Sequence, residues 1–317
     1  MSEKNIDTDL TELISKLKSK YEENSQDFKA YLEGLLYQDF TSYWDYIQVD
    51  TLLSLQKPKT KLKDESIFIM YHQITELYFK LCLHEFEQLA ELKGKLKADF
   101  FAMRVKRINA YFRNLTNSFE IMVDGMEKEQ FLKFRMSLLP ASGFQSAQYR
   151  MIEICSANFL RLVDKDHRGK FSEQSNIEEM FEFIYWKAGA TEIETGKKTL
   201  TLTQFEAKYA PALIKLANDC RDCNLWALYK GLPEAEKQNV ELITQLKKLD
   251  QNVNVNWPLI HYKSAVRYLQ KHPSDVAATG GTNWQKYLPP RFQVRVFFPE
   301  LWNAEELSEW GKSAFLD

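Results

Sequence analysis

DESIFIMYHQITELYFKLCLHEFEQL, residues Asp64–Leu89, decides how the rest of this chain reads. Ile67, Met70, Tyr71, Ile74, Leu77, Tyr78, Leu81 and Phe86 recur at steps of three and four, which places them on one face of a helix. The spacing predicts a long, buried amphipathic helix with Asp64 as its N-cap. Phe68, His72 and Glu76 follow at intervals of four, so they line one flank and bring an imidazole beside the apolar stripe. A single histidine on a core helix is more often a hydrogen-bonded structural residue than a reactive one, and this helix alone leaves both readings open.

At 317 residues the chain can bury a substantial core, as one large domain or two smaller ones. Lys+Arg 42 against Asp+Glu 44 leaves a net charge of −2, which argues against a nucleic-acid surface or a polybasic membrane anchor. Eleven glycines, 14% aromatic residues and sustained 3.6-type periodicity point to an all-helical protein. The N-terminus is charged and no apolar run reaches membrane-spanning length, so a cytoplasmic location is expected. Cys82, Cys155, Cys220 and Cys223 are too few for a disulfide framework and are expected to be thiols. Cys220-Arg-Asp-Cys223 has no second pair to complete a zinc site.

Elsewhere, residues 7–37 read as one amphipathic helix carrying Leu10, Ile14, Leu17, Tyr21, Phe28, Tyr31 and Leu35. Asp39–Gln56 reads as a short aromatic helix packed on the core, and Lys57–Lys63 as a solvated basic connector. Pro140 and Gly143 break a helix, Ser142 can cap the next, and Gln145, Gln148, Tyr149 and Arg150 fall near its start. Such a helix start favours an anion, although a simple capped turn reads equally well. Residues 164–249 are helical by pattern and silent about chemistry, and Lys271–Pro290 is a loop by every local cue. With Asn256 as cap and Pro258 in the first turn, His261 is expected early in a helix, where the dipole disfavours the imidazolium. A neutral imidazole suits a metal, and a hydrogen-bonded structural histidine fits the same position.

Taken as a string, FIMYHQITELYFKLCLHE resembles the signature helix of the tryptophan 2,3-dioxygenase family at Phe68, Ile69, His72, Gln73, Glu76, Leu77, Lys80, His84 and Glu85. Further resemblances keep the family's order: Tyr43, Tyr46, Ile47, Val49 and Asp50; PASGFQSAQYR, ending at Arg150; Trp257, His261 and Arg267; Ala278–Thr282; and PELW at Pro299–Trp302. The resemblance implies an all-α helical bundle enclosing a haem pocket, with an N-terminal helical arm. It implies a single domain over 1–317, in which 1–56 reaches a neighbouring subunit and about 165–250 is a peripheral helical insertion. It also implies haem b, with His261 as the axial ligand of Fe2+ and Trp257 beside it. His72 and His84 are roughly 120° and about 18 Å apart on one helix and cannot share an ion, and no Glu-x-x-His pair occurs.

In the implied site, His72 is catalytic and orients the indole N–H, Phe68 stacks on the ring, and Arg150 binds the substrate carboxylate. Thr279 contacts the ammonium or carboxylate, and Tyr43, Tyr46 and Ile47 wall the pocket of an adjacent subunit. The implied reaction is cleavage of the indole C2–C3 bond of L-tryptophan by O2 to N-formylkynurenine, the first step of tryptophan catabolism. The implied assembly is a homotetramer, or at least a dimer, with no nucleic-acid or membrane partner. Ala278 and Asn283-Trp284 depart from the family's glycine-rich loop, and Pro258 stands where the family has an arginine. Two alternatives follow: a related haem mono-oxygenase acting on another indole or aromatic substrate, and a non-enzymatic haem-binding helical protein. Arg150 and Thr279 speak against the last, since a carrier needs no amino-acid anchors.

Overall fold

The computed structural model describes residues 3–138, 145–191, 196–269 and 289–312. Among them the chain is helical, and extended pairing is confined to two isolated bridges, Val163 with Ile184 and Thr191 with Lys198. The chain divides into Met1–Leu55 and Gln56–Asp317. No helix of the described residues is long and apolar enough to cross a membrane.

In the first unit, the helix expected over 7–37 is two helices. Between α1 (Glu3–Glu23) and α2 (Phe28–Leu35) the chain turns, with Ser25 at a left-handed φ of 54°. Asp27 starts the second helix by accepting from the N–H groups of Lys29 and Ala30. The apolar period crosses this break because Tyr21 packs on Phe28 and Tyr31, at centroid distances of 5.5 and 4.7 Å. Asp39–Gln56 also divides, into α3 (Tyr43–Tyr46) and α4 (Val49–Leu53), with Gln48 at φ 53° between them. None of these residues is buried.

The second unit runs α5 (Asp64–Glu91), α6 (Ala98–Ser118), α7 (Glu120–Val123), α8 (Lys128–Arg135), α9 (Ala147–Ser156), α10 (Ile177–Glu182) and α11 (Tyr185–Gly189). It continues through α12 (Leu200–Asp219), α13 (Leu225–Lys230), α14 (Glu234–Lys237), α15 (Val240–Gln251) and α16 (Trp257–Leu269). Helix α6 packs between α5 and α15, and α9 packs on α5 and α12. Residues of 165–250 enter the same core as Phe101 and Phe112 of α6, among them Phe181, Trp186, Phe205 and Leu242.

Helix α5 carries two apolar stripes where one was expected. Tyr71, Thr75, Phe79, Cys82, Phe86 and Leu89 face the core. Met70, Ile74, Leu77 and Leu81 are exposed. The exposed stripe lags the buried one by one residue, about 100° around the helix, and a rule of threes and fours counts both. Asp64 is the first helical residue rather than the cap, and its carboxylate accepts from the N–H of Glu127 at 2.6 Å. Buried Glu65 accepts from the N–H groups of Lys59 and Thr60 and from the Thr60 hydroxyl, folding the basic connector onto the helix start. Burial pushes the Glu65 carboxyl up, but these hydrogen bonds outweigh it and hold the group below its ordinary range. Buried Glu85 ties α5 to α6 through Arg104, Arg107 and Tyr111 at 3.1, 3.1 and 3.2 Å.

A further correction concerns the start of α16. Helix α15 passes into α16 through one π turn, Asn252–Asn256, so Asn256 is not a cap and His261 lies well inside a continuous helical run. Pro258 lacks an N–H and crowds the carbonyl four residues back, and the wider π turn just before it accommodates both effects. Asn256 donates to Asn252, Asn252 to Asn109 and Asn109 to Gln245, at 3.0, 3.1 and 2.8 Å, a buried polar chain linking this turn to α6. Asp250 accepts from the N–H groups of Phe297 and Phe298, from Trp302 Nε1 and from Asn254 Nδ2. Burial raises its pKa to about 6 against those four donors, so it is an anion at neutral pH and holds residues 297–302 to α15.

Asp250→Asn turns an amide N–H2 toward those donors and should cost about 2–4 kcal/mol. Urea denaturation should show a lower midpoint at unchanged slope. An unchanged midpoint would mean that residues 297–302 are held by other contacts.

Candidate active site

The second unit encloses a cavity of about 1230 Å³. Its lining falls into two chemically different sets. Phe68, His72, Phe119, Met122, Phe131, Trp257 and His261 make one, and Tyr149, Arg150, Tyr185, Lys187 and Arg295 belong to the other.

In the first set, α5 presents His72 and α16 presents His261 in the same local arrangement. His72 Nδ1 lies 2.7 Å from the carbonyl oxygen of Phe68, and His261 Nδ1 lies 2.9 Å from that of Trp257, each four residues back. A carbonyl oxygen only accepts, so each Nδ1 carries the hydrogen. In a neutral ring this leaves Nε2, on the far side, with its lone pair available. Burial pushes the His72 pKa down, opposed by the Phe68 carbonyl and by Glu76. Burial takes His261 down to about 4, with a smaller push in the same direction from His72. Both rings are therefore neutral at physiological pH, and burial, not the helix start expected from sequence, makes His261 so. His72 is surrounded by protein yet keeps an open ring face because the space beside it is the cavity. Phe68 lies over His72 at 4.1 Å, while Phe119 and Trp257 hold the His261 ring at 4.3 Å each.

The second set is built around α9. Ser146 caps it by accepting from the Tyr149 N–H, so Gln145 precedes the helix, and Pro140, Ser142 and Gly143 lie outside the described residues. Arg150 is buried, not displayed at a helix end. Its Nη1 donates to Glu153 Oε2 at 2.8 Å and to the Tyr185 hydroxyl at 2.6 Å. Arg295 donates from Nη1 to Glu153 Oε1 and to the same hydroxyl, and that hydroxyl donates to Glu153 Oε1. Burial raises the Tyr185 pKa although both arginines oppose it, so the ring stays a phenol. Burial alone would lower Arg295, but Tyr185 and Glu153 outweigh it and hold the guanidinium charged. Both buried arginines thus reach the Glu153 carboxylate. Glu76, on the α5 flank with His72, clamps the helices together instead, accepting from Gln148 Nε2 at 2.7 Å.

Phe68, His72, Arg150, Trp257 and His261 accordingly meet in one cavity. Tyr43, Tyr46 and Ile47 belong to the first unit, where they are 73%, 81% and 39% exposed. Thr279 lies outside the described residues. Sequence reasoning missed Glu153, Tyr185 and Arg295. Glu153 follows Arg150 by one helical turn and could have been read as its partner. Tyr185 is 35 residues from Arg150, and Arg295 is 142 from Glu153, so no local pattern joins them.

A family model described as Tryptophan 2,3-dioxygenase matches residues 35–231, a span that includes His72 and Arg150 and ends before His261. The chain is 26% identical over 297 residues to a tryptophan 2,3-dioxygenase of Bradyrhizobium diazoefficiens, covering 89% of this chain and 99% of that relative. It is 28% identical over 278 residues to one from a Ruegeria species, covering 84% and 92%, respectively. The tryptophan 2,3-dioxygenase of Bacillus thuringiensis subsp. konkukian is 28% identical over 290 residues, covering 87% of this chain and 97% of its own.

Glu153→Gln leaves two guanidinium groups buried without their carboxylate and should destabilise the protein by about 3–5 kcal/mol. Chemical denaturation reads this directly. A wild-type midpoint would show that the arginine charges are balanced elsewhere.

Proposed function

This chain belongs to the tryptophan 2,3-dioxygenase family, whose model covers more than half of it, and on that premise we propose that it cleaves the indole C2–C3 bond of L-tryptophan with O2, giving N-formylkynurenine. One observation carries the reading: two neutral imidazoles line a single cavity, each with Nδ1 tied to its own helix and Nε2 left as an acceptor.

Haem b fits these residues. Phe119, Met122 and Trp257 offer an apolar wall, His261 a neutral ring nitrogen, and the volume exceeds the roughly 300–1,000 Å³ typical of small-molecule pockets. In this reading His261 would hold the haem iron, its ring oriented by the Trp257 carbonyl and by the Trp257 and Phe119 rings. When bound, the haem supplies O2 binding and the redox chemistry that delivers both oxygen atoms. His72 Nε2 accepts the indole N–H, fixing the plane of the ring and offering that proton a base. Phe68, tilted against His72, gives the indole an apolar face and keeps water from it. Arg150 draws the carboxylate toward the cationic part of the cavity, and Thr279 is proposed to meet the ammonium or carboxylate group.

Residues 1–56 are proposed to act as an arm in a homotetramer, bringing Tyr43, Tyr46 and Ile47 to a neighbour's pocket. Exposure of Leu10, Leu13, Ile14 and Leu17 on α1, and of the Met70, Ile74, Leu77 and Leu81 stripe on α5, supports assembly, because contiguous apolar surface of this kind marks an interface. Four free thiols suit a reducing, cytoplasmic setting.

Reduced, haem-loaded protein given L-tryptophan should accumulate N-formylkynurenine, and His261→Ala should lose the Soret band while remaining folded. A hydroxylated indole, or an unchanged Soret spectrum in the variant, would contradict the reaction and the ligand in turn. Sedimentation at micromolar concentration should give a tetramer, and a monomer would contradict the shared pocket.

A further inference from the structure

We propose a redox modification site where α9 meets the end of α12: Cys220 exchanges with a low-molecular-weight disulfide, and Cys155 then closes a disulfide onto it.

Cys155 lies in the last turn of α9 and Cys220 ends α12, 65 residues further along the chain. Their sulfurs are 3.8 Å apart. Cys223 follows in the next turn and gives its hydrogen to the Asp219 carbonyl at 3.4 Å. All three are free thiols, with Cys155 buried and the other two half-buried. Among the described residues no three His, Cys, Asp or Glu side chains are placed to hold a metal ion, which leaves this cluster its thiol chemistry.

Exchange needs a nucleophilic thiol, access to it and a second thiol to resolve the product. Cys220 is the nucleophile. The Cys155 thiol, donating to it, draws Cys220 below the ordinary thiol range, with Cys223 acting in the same sense, against burial and the Asp219 and Asp222 carboxylates. The same contact and burial hold Cys155 well above that range, while burial and Cys220 push Cys223 up to about 11. Access comes through a recess of about 10 Å³, the size of a water, bordered by Ala157, Cys220, Arg221 and Asn224. Cys155 is the resolving thiol because it reaches Cys220 from another helix. A ring closed between Cys220 and Cys223 would instead disturb their shared turn, which Asn224 Nδ2 fixes by donating to the carbonyls of Cys220 and Arg221 at 2.9 and 3.1 Å.

The Cys220 thiolate attacks one sulfur of the small disulfide, whose S–S bond breaks, and the departing thiolate takes up the proton that Cys220 shed. Cys155 releases its proton to solvent and attacks the Cys220 sulfur, and the second small thiolate leaves and is protonated. Two protein thiols lose two electrons, and one small disulfide becomes two thiols. The new bond fastens α12 to the helix that carries Tyr149 and Arg150 to the cavity.

The test equilibrates full-length, haem-loaded protein with excess glutathione disulfide, followed by acid quenching, alkylation and peptide mass spectrometry without reductant. Wild type should yield a linked Cys155–Cys220 peptide that dithiothreitol removes, and C223S should yield it equally. C155A should stop at the first step, with glutathione on Cys220, and C220S should give neither product. Thermal melting confirms that each variant is folded, and wild type and C223S decide the pairing if C155A is not. A Cys220–Cys223 link in its place, loss of the cross-link in C223S, or Cys220 unmodified in folded wild type would overturn the proposal.

Discussion

A histidine whose Nδ1 hydrogen is given to the carbonyl one helical turn earlier is locked in one tautomer, and everything proposed for this cavity depends on two such locks. His72 and His261 are held this way on α5 and α16, so each turns a lone pair away from its helix. The surrounding fold keeps both helices in place. Glu85 binds α5 to α6, the asparagine chain binds the π turn to α6, and Asp250 binds the C-terminal segment to α15. These are buried polar contacts satisfied on several sides, the kind that specify one arrangement of helices over its alternatives.

The cavity uses burial in two opposite ways. Imidazole gives up its proton when desolvated, so His72 and His261 become neutral acceptors. Guanidinium does not lose its charge in proteins, so Arg150 and Arg295 keep theirs beside the Glu153 carboxylate.

Much of this was legible in the sequence where chemistry and spacing coincide. The signature string around His72, the QYR segment at Arg150 and the Trp-x-x-x-His of α16 each bring a residue to the cavity, because a helix converts short spacing into a shared face. The errors have equally local causes. A three-and-four period counted the two stripes of α5 as one, and it overlooked the capping strength of Asp27. Pro258 was read as a helix start because an interior proline is normally costly, and the π turn that accommodates it has no simple sequence sign. Tyr185 and Arg295 reach Glu153 through the tertiary fold, and a window along the chain does not join them.

Imidazole ring nitrogens labelled with 15N report the tautomer itself. In the haem-free protein at pH 7.5, His72 and His261 should both show a protonated Nδ1 and a bare Nε2. A protonated Nε2, or a fully charged ring, at either residue would contradict the arrangement from which iron binding and indole orientation have been derived.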